Sequence, residues 1–450
     1  MKKSFNLKLF YRLLGFTKPY KLNFIFVSIS AIIISFFSIL NQYFLKIAVD
    51  EYITPKDYLG LINVIILMVA ILCFQVIFQF LFIFFTNLLG QKVVFDLRTK
   101  LFRTIIKFKM SYYDKSSVGR LVTRTVSDME TIASIFSQGL FMIFADLILM
   151  FSVLAVMVVL SIELSLIILV ILPFVMIATR LFQRAMKVAF NEVRSEIANL
   201  NSFVQERLSG IKEIQIFNRQ KIESKNFEKI NERHKRAWLK TVWYNSIFFP
   251  IAEISISVSV GLIVWYAGSN ILKLDNFVSL GTIFLFIQLS QMLFRPLRQI
   301  ADKFNTLQMG MVAAKRVFEI LDSNYYINDN GNINSNDLNG DIKFENVNFS
   351  YTKNNNVLND INLTIKKGEK IAIVGATGSG KSTIIKLIMR LYDIKDGEIK
   401  INNKNIKNFK LSDLRSSISL VNQDIFLFAD TILKNITLFN EELSKKDVVK

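Results

Sequence analysis

The sequence predicts two parts in one chain: an all-α membrane domain of six spans with long cytosolic helical extensions, and a soluble α/β domain after it. Long apolar runs dominate the first part, and short β-branched runs broken by turns begin at Ile342. The 450 residues are 52% hydrophobic and 13% aromatic, and the mean hydropathy is +0.38. This composition is more apolar than that of ordinary soluble domains and favours a membrane protein.

The predicted spans are stretches with few or no charged residues. Four stretches carry no charge, and two more carry one acidic residue each, Asp146 and Glu253. A helix needs roughly 20 apolar residues to cross about 30 Å of hydrocarbon. Within a predicted membrane domain of residues 1–320, we therefore expect spans at about residues 22–45, 61–88, 137–160, 163–181, 245–270 and 277–298.

Basic residues predict the orientation of these spans. Residues 1–21 contain six Lys or Arg, residues 91–124 contain nine and residues 180–240 contain fourteen, whereas the intervening loops contain at most two. Because cytoplasmic loops carry the excess of basic residues, we expect the N-terminus and both long loops in the cytosol of a multi-pass cell-membrane protein. This distribution explains most of the net charge of +19, so we expect no nucleic acid partner.

Both long cytosolic loops have the pattern of amphipathic helices. Apolar residues recur every four positions at Leu97, Leu101 and Ile105. The second loop has apolar residues at similar spacing: Val188, Val193, Ile197, Leu200 and Val204. Such helices would extend the spans below the membrane, as a protein needs when a soluble motor must act on its spans.

The soluble part begins after a predicted linker. Residues 321–340 are rich in Asn, Asp, Gly and Ser, which is typical of a linker. In the predicted domain at residues 341–450, the runs "IKFENVNFSY", "INLTI" and "KIAIVG" predict strands. The single Cys excludes an intramolecular disulfide framework, and the single His argues against a multi-His metal site.

The strongest motif lies between a β-rich run, "KIAIV", and a helical run, "TIIKLIMRLY". It fits the phosphate-binding pattern G-x-x-x-x-G-K-S with Gly375, Ala376, Thr377, Gly378, Ser379, Gly380, Lys381 and Ser382. A chance glycine turn would not be flanked by a strand and a helix in this way. The soluble part is therefore predicted to be a partial α/β P-loop NTPase domain.

Each residue type in this motif has a physical reason. Glycines let backbone N–H groups approach phosphate oxygens without a Cβ in the way. The helix that follows directs the positive end of its dipole to the same place. Lys381 is predicted to reach the β- and γ-phosphates, and the hydroxyl of Ser382 to bind Mg²⁺.

Other segments carry a family resemblance that extends over essentially the whole chain. "VNFSY" resembles the adenine-contacting segment of ATP-binding cassette (ABC) exporters and places its aromatic at Tyr351. "LRSSISLVNQDIFLFADTILKNI" resembles their Q-loop region, with the glutamine at Gln423. "SYYDKSSVGRLVTRTVSDMETI" and "ERLSGIKEIQIFN" resemble their two intracellular loops, whose short coupling helices dock on the ATPase domains.

The resemblance implies a half-transporter of the multidrug or lipid-flippase type. It implies ATP-driven export of a hydrophobic or amphipathic substrate by alternating access, as a dimer with a second half-transporter in the lipid bilayer. ATP and Mg²⁺ are the implied cofactors. The implied roles are catalysis for Lys381 and Gln423, Mg²⁺ binding for Ser382 and Gln423, and nucleotide binding for Tyr351, Thr383, Gln423 and the motif residues 375–382.

The sequence departs from the family pattern after Gln423. It has no signature sequence, no Walker B aspartate with its glutamate and no switch histidine, so we expect only the N-terminal part of the nucleotide-binding domain. If the chain were complete at Lys450, a non-hydrolysing, membrane-anchored nucleotide-binding protein is the alternative. An importer is disfavoured because the ATPase is fused to the spans and the loops are long. A channel leaves the phosphate motif and the extensions unexplained.

Polar residues within the spans are candidates for a substrate pathway. An ionisable group in a span is costly and usually faces the bundle interior or water. Glu253 could contact a cationic substrate, or it could pair with a buried Ser, Thr or Asn on a neighbouring helix. Gln288, Gln291 and Arg295 fall on one face of the sixth predicted span, where they could line the pathway.

Overall fold

The computed structural model describes residues 6–272, 278–333, 338–352 and 355–449. Two compact units are present: Met1–Thr104 with Gly119–Ser323, and Ile105–Val118 with Asn324–Lys450. The α-helices up to Leu321 are α1 (Leu7–Gly15), α2 (Lys21–Ile47), α3 (Tyr58–Ile105), α4 (Met110–Lys115), α5 (Val118–Thr125), α6 (Ser127–Ser134), α7 (Phe141–Leu160), α8 (Ile162–Ser209), α9 (Ile211–Ile216), α10 (Gln220–Leu272) and α11 (Leu280–Leu321).

Six helical segments among the described residues are long and apolar enough to cross a membrane. They are Lys18–Ile53, Tyr58–Ile105, Val118–Leu160, Ile162–Ser209, Gln220–Ser269 and Leu280–Leu297. Each predicted span overlaps one of them, although position 277 of the sixth lies outside the described residues. The prediction of six spans is confirmed.

The helices also extend well beyond the length of a span. Both α3 and α8 have 48 residues, and α10 has 53. At 1.5 Å per residue a helix of this size is about 72 Å long or more, over twice the thickness of the hydrocarbon core. The predicted long helical extensions are therefore present.

The apolar rows of these extensions are only partly as predicted. Leu97 and Leu101 are fully buried, as their spacing in the first loop requires. In the second loop Val193 is buried and Leu200 is half-buried, but Val188, Ile197 and Val204 are exposed. The prediction for Val188 is wrong because the packed side of α8 passes through Ala189, one position along, and leaves Val188 on the outer side.

The core of the first unit forms around α11. Its buried side chains pack with buried residues of α2, α7, α8 and α10. The fully buried members of this core on α11 are Leu285, Phe286, Leu289, Leu293 and Phe294. The packed side of this helix is thus apolar, whereas its exposed residues include both polar side chains such as Gln291 and apolar ones such as Phe284.

The acidic residue of the third span is part of an ion pair. Lys303 on α11 donates a hydrogen bond from Nζ to Oδ2 of Asp146 on α7, and both side chains are less than one fifth exposed. A carboxylate in an apolar segment is costly without a partner. The pair therefore accounts for the charge of Asp146 within the membrane domain.

The second unit contains a small sheet with short helices. Its elements are α4 (Met110–Lys115), β1 (Ile342–Thr352), β2 (Asn355–Ile365), α12 (Lys381–Ile388), β3 (Asp396–Ile401), β4 (Lys404–Asn405), α13 (Leu411–Ser416), α14 (Ile432–Thr437) and α15 (Lys445–Val449). The strand order is β2-β1-β3-β4 and every pair is antiparallel. Phe344 lies opposite Leu363 on one side and Ile399 on the other.

In the core of this unit, α12 packs against the sheet. Leu387 is fully buried, and it belongs to the same apolar cluster as Val347 and Ile399 of the sheet. The spacing of Ile384, Leu387 and Ile388 puts one side of the helix on the sheet. This packing fixes the start of α12, where the phosphate motif lies.

One predicted strand is not formed. The run "KIAIV" before the motif pairs with none of the described strands, and Val374 is 87% exposed. β-Branched composition favours an extended backbone, but a strand also needs a neighbour to accept its hydrogen bonds. No described strand pairs with this run, so it forms no strand.

Most of the predicted linker belongs to the second unit and packs within it. The guanidinium of Arg390 donates to the carbonyl oxygen of Asn328 at 2.8 Å, and Ile333 forms a bridge with Phe409. Residues 334–337 of the predicted linker lie outside the described residues. The Asn-rich composition therefore predicts irregular backbone here, but not a free tether.

Candidate nucleotide-binding site

The loop before α12 has a backbone that glycine permits. Gly378 and Gly380 have φ angles of +88° and +89°, in the left-handed region that side chains disfavour. A Cβ on Gly380 would also lie 2.7 Å from Cδ2 of Leu358. Ser379 N–H donates to the Ala376 carbonyl at 3.2 Å and closes the turn. The loop is therefore a tight glycine turn, the kind of backbone that the phosphate-binding pattern predicts.

The start of α12 supplies the electrostatics of an anion site. Gly380 is the N-cap, and Lys381 is the first of eight helical residues. The first N–H groups of a helix have no intrahelical acceptor, and the positive end of the helix dipole lies there. Residues 376–379 are exposed, so a phosphate can reach this position from solvent.

The side chain of Lys381 is folded back over the same loop. Its ammonium donates to the carbonyl oxygens of Gly375 at 2.9 Å and Ala376 at 2.8 Å. Hydrogen bonds from a cation to an anion are roughly twice as strong as bonds between neutral groups. A phosphate in the loop is therefore a better partner for this ammonium than the two carbonyls.

The two hydroxyls after Lys381 have different surroundings. Ser382 is exposed in the first turn, whereas Thr383 is buried and shares a hydrogen bond of 3.1 Å with the hydroxyl of Tyr351. No cluster of three His, Cys, Asp or Glu that could hold a metal occurs in the described part of the chain. Ligation of Mg²⁺ by Ser382 stays a prediction.

Tyr351 stands beside this loop in an aromatic cluster. Its ring is half-buried and packs edge to face against Phe349 at 4.8 Å and Tyr392 at 5.1 Å. The ammonium of Lys386 lies 5.7 Å from the centre of the same ring. The structure brings Tyr351 to the phosphate motif through Thr383, and its contact with adenine stays a prediction.

Gln423 is not joined to the loop. It is exposed in an irregular segment after α13, and it makes no hydrogen bond within the described ranges. Its neighbours Val421 and Ile425 are 92% and 80% exposed. The structure thus assembles residues 375–383 with Tyr351 but leaves Gln423 apart, and its predicted roles stay predictions.

Two residues near the site, Tyr392 and Asp114, could not be identified from the sequence motifs. Tyr392 is buried against Tyr351, and its hydroxyl donates to Oδ2 of Asp114 at 2.9 Å. Asp114 lies 278 positions earlier in the chain, so no local pattern could link the two. Only the resemblance of the segment around Asp114 to a coupling loop hinted that it meets the soluble domain.

Two family models match the chain. One, described as the ABC transporter transmembrane region, matches residues 24–297, and the other, described as ABC transporter, matches residues 358–449. The chain belongs to the ABC transporter family. The resemblance predicted from the motifs is confirmed, and with it an ATP-binding, ATP-hydrolysing membrane transporter whose six-span part precedes its nucleotide-binding part.

Named relatives of this ABC transporter come from several bacteria. It is 30% identical to an uncharacterized ABC transporter ATP-binding protein of Bacillus subtilis, over 100% of the chain and 75% of that relative. It is 32% identical to an ATP-dependent lipid A-core flippase of Wigglesworthia glossinidia brevipalpis, over 99% of the chain and 77% of the relative. A probable multidrug resistance ABC transporter of Bacillus subtilis is 29% identical, over 86% of the chain and 58% of the relative.

The candidate pathway residues of the ABC transporter lie on uncovered helix sides. Gln291 and Arg295 are exposed on α11 and Gln288 is half-buried on the same side, away from the packed side of that helix. Glu253 is exposed on α10. Their role in substrate transport stays a prediction.

Proposed function

We propose that this ABC transporter exports a hydrophobic or amphipathic molecule, drug-like or lipid, across the cytoplasmic membrane. The observation that carries the proposal is that one chain contains six apolar helices, several of them much longer than a span, together with a phosphate-binding motif. Relatives named as a lipid A-core flippase and as a probable multidrug resistance transporter support this substrate class.

The residues of the loop have defined tasks in this proposal. Lys381 balances the negative charge of the β- and γ-phosphates, for which it gives up its bonds to Gly375 and Ala376. Ser382 and Gln423 supply oxygen ligands for Mg²⁺, and the ring of Tyr351 stacks on the base. Hydrolysis of the bound Mg-ATP supplies the free energy that drives the change between inward- and outward-facing spans.

We further propose a dimer with a second half-transporter, in which the nucleotide-binding part and the N-terminus are cytosolic. The uncovered sides of α10 and α11, with Glu253, Gln288 and Gln291, then face the pathway between the two chains. The basic loops support the orientation because positive residues accumulate on the cytosolic side. The proposal applies equally to a homodimer and to a heterodimer.

Transport into inverted membrane vesicles tests the proposal. Vesicles with the protein should accumulate a hydrophobic cationic dye or a fluorescent lipid only when both ATP and Mg²⁺ are present. Vesicles with Lys381→Ala should not, whereas those with Lys367→Ala, an exposed lysine in the turn after β2, should match the wild type. Accumulation without ATP would overturn the proposal. ATP binding without phosphate release by the wild type would favour the non-hydrolysing alternative.

A further inference from the structure

The short helix α4 is part of the nucleotide-binding unit. It comes from the first long cytosolic loop, yet residues 105–118 form one compact unit with residues 324–450. Lys109 N–H donates to the Tyr325 carbonyl at 2.8 Å, and the ring of Tyr112 packs on that of Tyr325 at 4.8 Å. These contacts attach the loop to the segment that leads into the sheet.

A second attachment leads from α4 toward the nucleotide loop. Tyr392, 9% exposed, donates its hydroxyl proton to Oδ2 of Asp114 at 2.9 Å. Burial, and then the neighbouring Asp114 carboxylate, raise the pKa of Tyr392 above its ordinary value. The hydroxyl therefore stays protonated and remains a donor. A hydrogen bond to an ionised carboxylate is stronger than a neutral one.

The ring of Tyr392 continues the connection. It packs edge to face on Tyr351 with 5.1 Å between centroids, and both rings contact Phe349. The hydroxyl of Tyr351 shares a hydrogen bond with Thr383 in the first turn of α12, two positions after Lys381. A continuous set of contacts thus runs from Asp114 through Tyr392 and Tyr351 to the phosphate motif.

We propose that Tyr392 is a positioning residue that couples nucleotide binding at Tyr351 to the seating of α4 through Asp114. The inference rests on the proposed function, because it assumes that Tyr351 contacts the base. A Tyr351 ring clamped between Thr383 and Tyr392 cannot shift without disturbing the contact of Tyr392. A nucleotide that holds this ring in place therefore stabilises the bond of Tyr392 to Asp114.

Linkage makes the coupling measurable from the nucleotide side. If nucleotide binding strengthens the bond between Tyr392 and Asp114, the bond strengthens nucleotide binding by the same factor. Such couplings change affinity by about 5-fold or more. Tyr392→Phe keeps the ring on Tyr351 and removes only the hydroxyl, and Asp114→Ala removes only the acceptor.

The experiment measures the affinity of the full-length transporter in lipid for a fluorescent ATP analogue, with thermal unfolding of each variant alongside. We expect Tyr392→Phe and Asp114→Ala each to weaken nucleotide binding about 5-fold. The double variant should also lose about 5-fold, because both changes remove the same hydrogen bond, whereas two independent sites would together lose about 25-fold. Asp114→Asn keeps an oxygen acceptor and should restore most of the affinity. Tyr112→Phe is the matched control, because this neighbouring hydroxyl on α4 makes no hydrogen bond in the described ranges.

The outcomes separate this inference from the proposed function. Unchanged nucleotide affinity in either single variant, or an about 25-fold loss of affinity in the double variant, would overturn the coupling. The proposed transporter function would stand as long as the wild type binds ATP through Lys381. A lower unfolding temperature with unchanged affinity would also overturn it, since the contact would then be structural only. If Tyr392→Phe does not fold, the affinity of Asp114→Ala alone decides. A wild type that binds no ATP would overturn both proposals.

Discussion

The Lys381 ammonium lies 2.8 Å from the carbonyl oxygen of Ala376, five positions earlier in its own loop. The side chain is thereby held above the cradle that it is predicted to serve. Only neutral oxygens occupy its donors in the described structure, so an arriving phosphate needs to displace two carbonyl bonds and no ion pair. The loop is thus arranged to exchange weak partners for a strong one.

Replacing Lys381 by Ala should abolish most ATP hydrolysis. Loss of one positioned charge or donor at a transition state costs about 10²- to 10³-fold in kcat. Phosphate release by the reconstituted transporter measures this, and Lys367→Ala provides an exposed lysine for comparison. Turnover by Lys381→Ala within a few-fold of the wild type would show that another residue carries the charge stabilisation.

Alanine at Gly378 and at Gly380 should separate backbone strain from steric clash. Both glycines have nearly the same positive φ, which costs a residue with a Cβ about 1–2 kcal/mol. Only at Gly380 does the added Cβ meet a neighbour, Cδ2 of Leu358, whereas at Gly378 nothing lies within 4 Å. In thermal unfolding without nucleotide, Gly380→Ala should therefore be the less stable variant. Equal stability would mean that Leu358 moves aside freely.

Removing the ring of Tyr351 should weaken ATP binding. Stacking of a base on an aromatic side chain contributes about 1–3 kcal/mol, so Tyr351→Ala should lose roughly 5- to 100-fold in affinity. Tyr351→Trp should retain binding, because it keeps a flat aromatic surface. Tyr351→Phe is the control for the hydroxyl that meets Thr383 at 3.1 Å. Equal affinity of the wild type and the Ala variant would contradict the assignment of Tyr351 to the base.

Features set by local composition were predictable from the sequence. The six spans follow from apolar runs, because a long apolar helix is compatible with hydrocarbon and satisfies its own backbone hydrogen bonds. The shape of the phosphate loop follows from glycines at Gly378 and Gly380, which have the left-handed φ that the motif requires. The buried row of Leu97 and Leu101 follows from helical periodicity.

Features that depend on distant partners were not predictable. The strand expected at "KIAIV" failed because pairing needs a neighbour that local composition does not specify. The partner of Asp146 is Lys303, 157 positions later, and that of Tyr392 is Asp114, 278 positions earlier. An average helical period also does not predict which neighbouring residue lies on the packed side of a helix, as the exposure of Val188 shows.

Breaking the pair of Asp146 and Lys303 should destabilise the membrane domain. Removing one partner of a fully buried pair costs about 3–5 kcal/mol, and less is expected here because both side chains retain some exposure. Lys303→Met should therefore lower the unfolding temperature in detergent, and adding Asp146→Asn should recover part of the loss. Lys240→Ala removes an exposed ion pair with Glu192 and should change stability little. An equal effect of Lys240→Ala and Lys303→Met would contradict this account.

Glu253 should determine the charge preference of transport if it contacts the substrate. It lies exposed on α10 within an apolar segment, where a negative charge is costly and is retained for a partner. A hydrogen-bonded charge contributes about 1.5–3 kcal/mol, which corresponds to about tenfold or more in affinity. Glu253→Gln keeps the size and the polarity of the side chain and removes only the charge. Efflux of a cationic dye should therefore fall about tenfold while efflux of a neutral dye of similar size is unchanged.

The matched control for that comparison is Glu163→Gln. Glu163 lies at the start of α8, where it accepts a hydrogen bond from the hydroxyl of Tyr266 at 2.8 Å, and it is not a pathway candidate. Its variant should transport both dyes like the wild type. If Glu253→Gln instead loses both dyes equally and unfolds at a lower temperature, the carboxylate supports the helix bundle and does not select substrate. The ratio of the two dye rates distinguishes these roles, because loss of folded protein lowers both rates by the same factor.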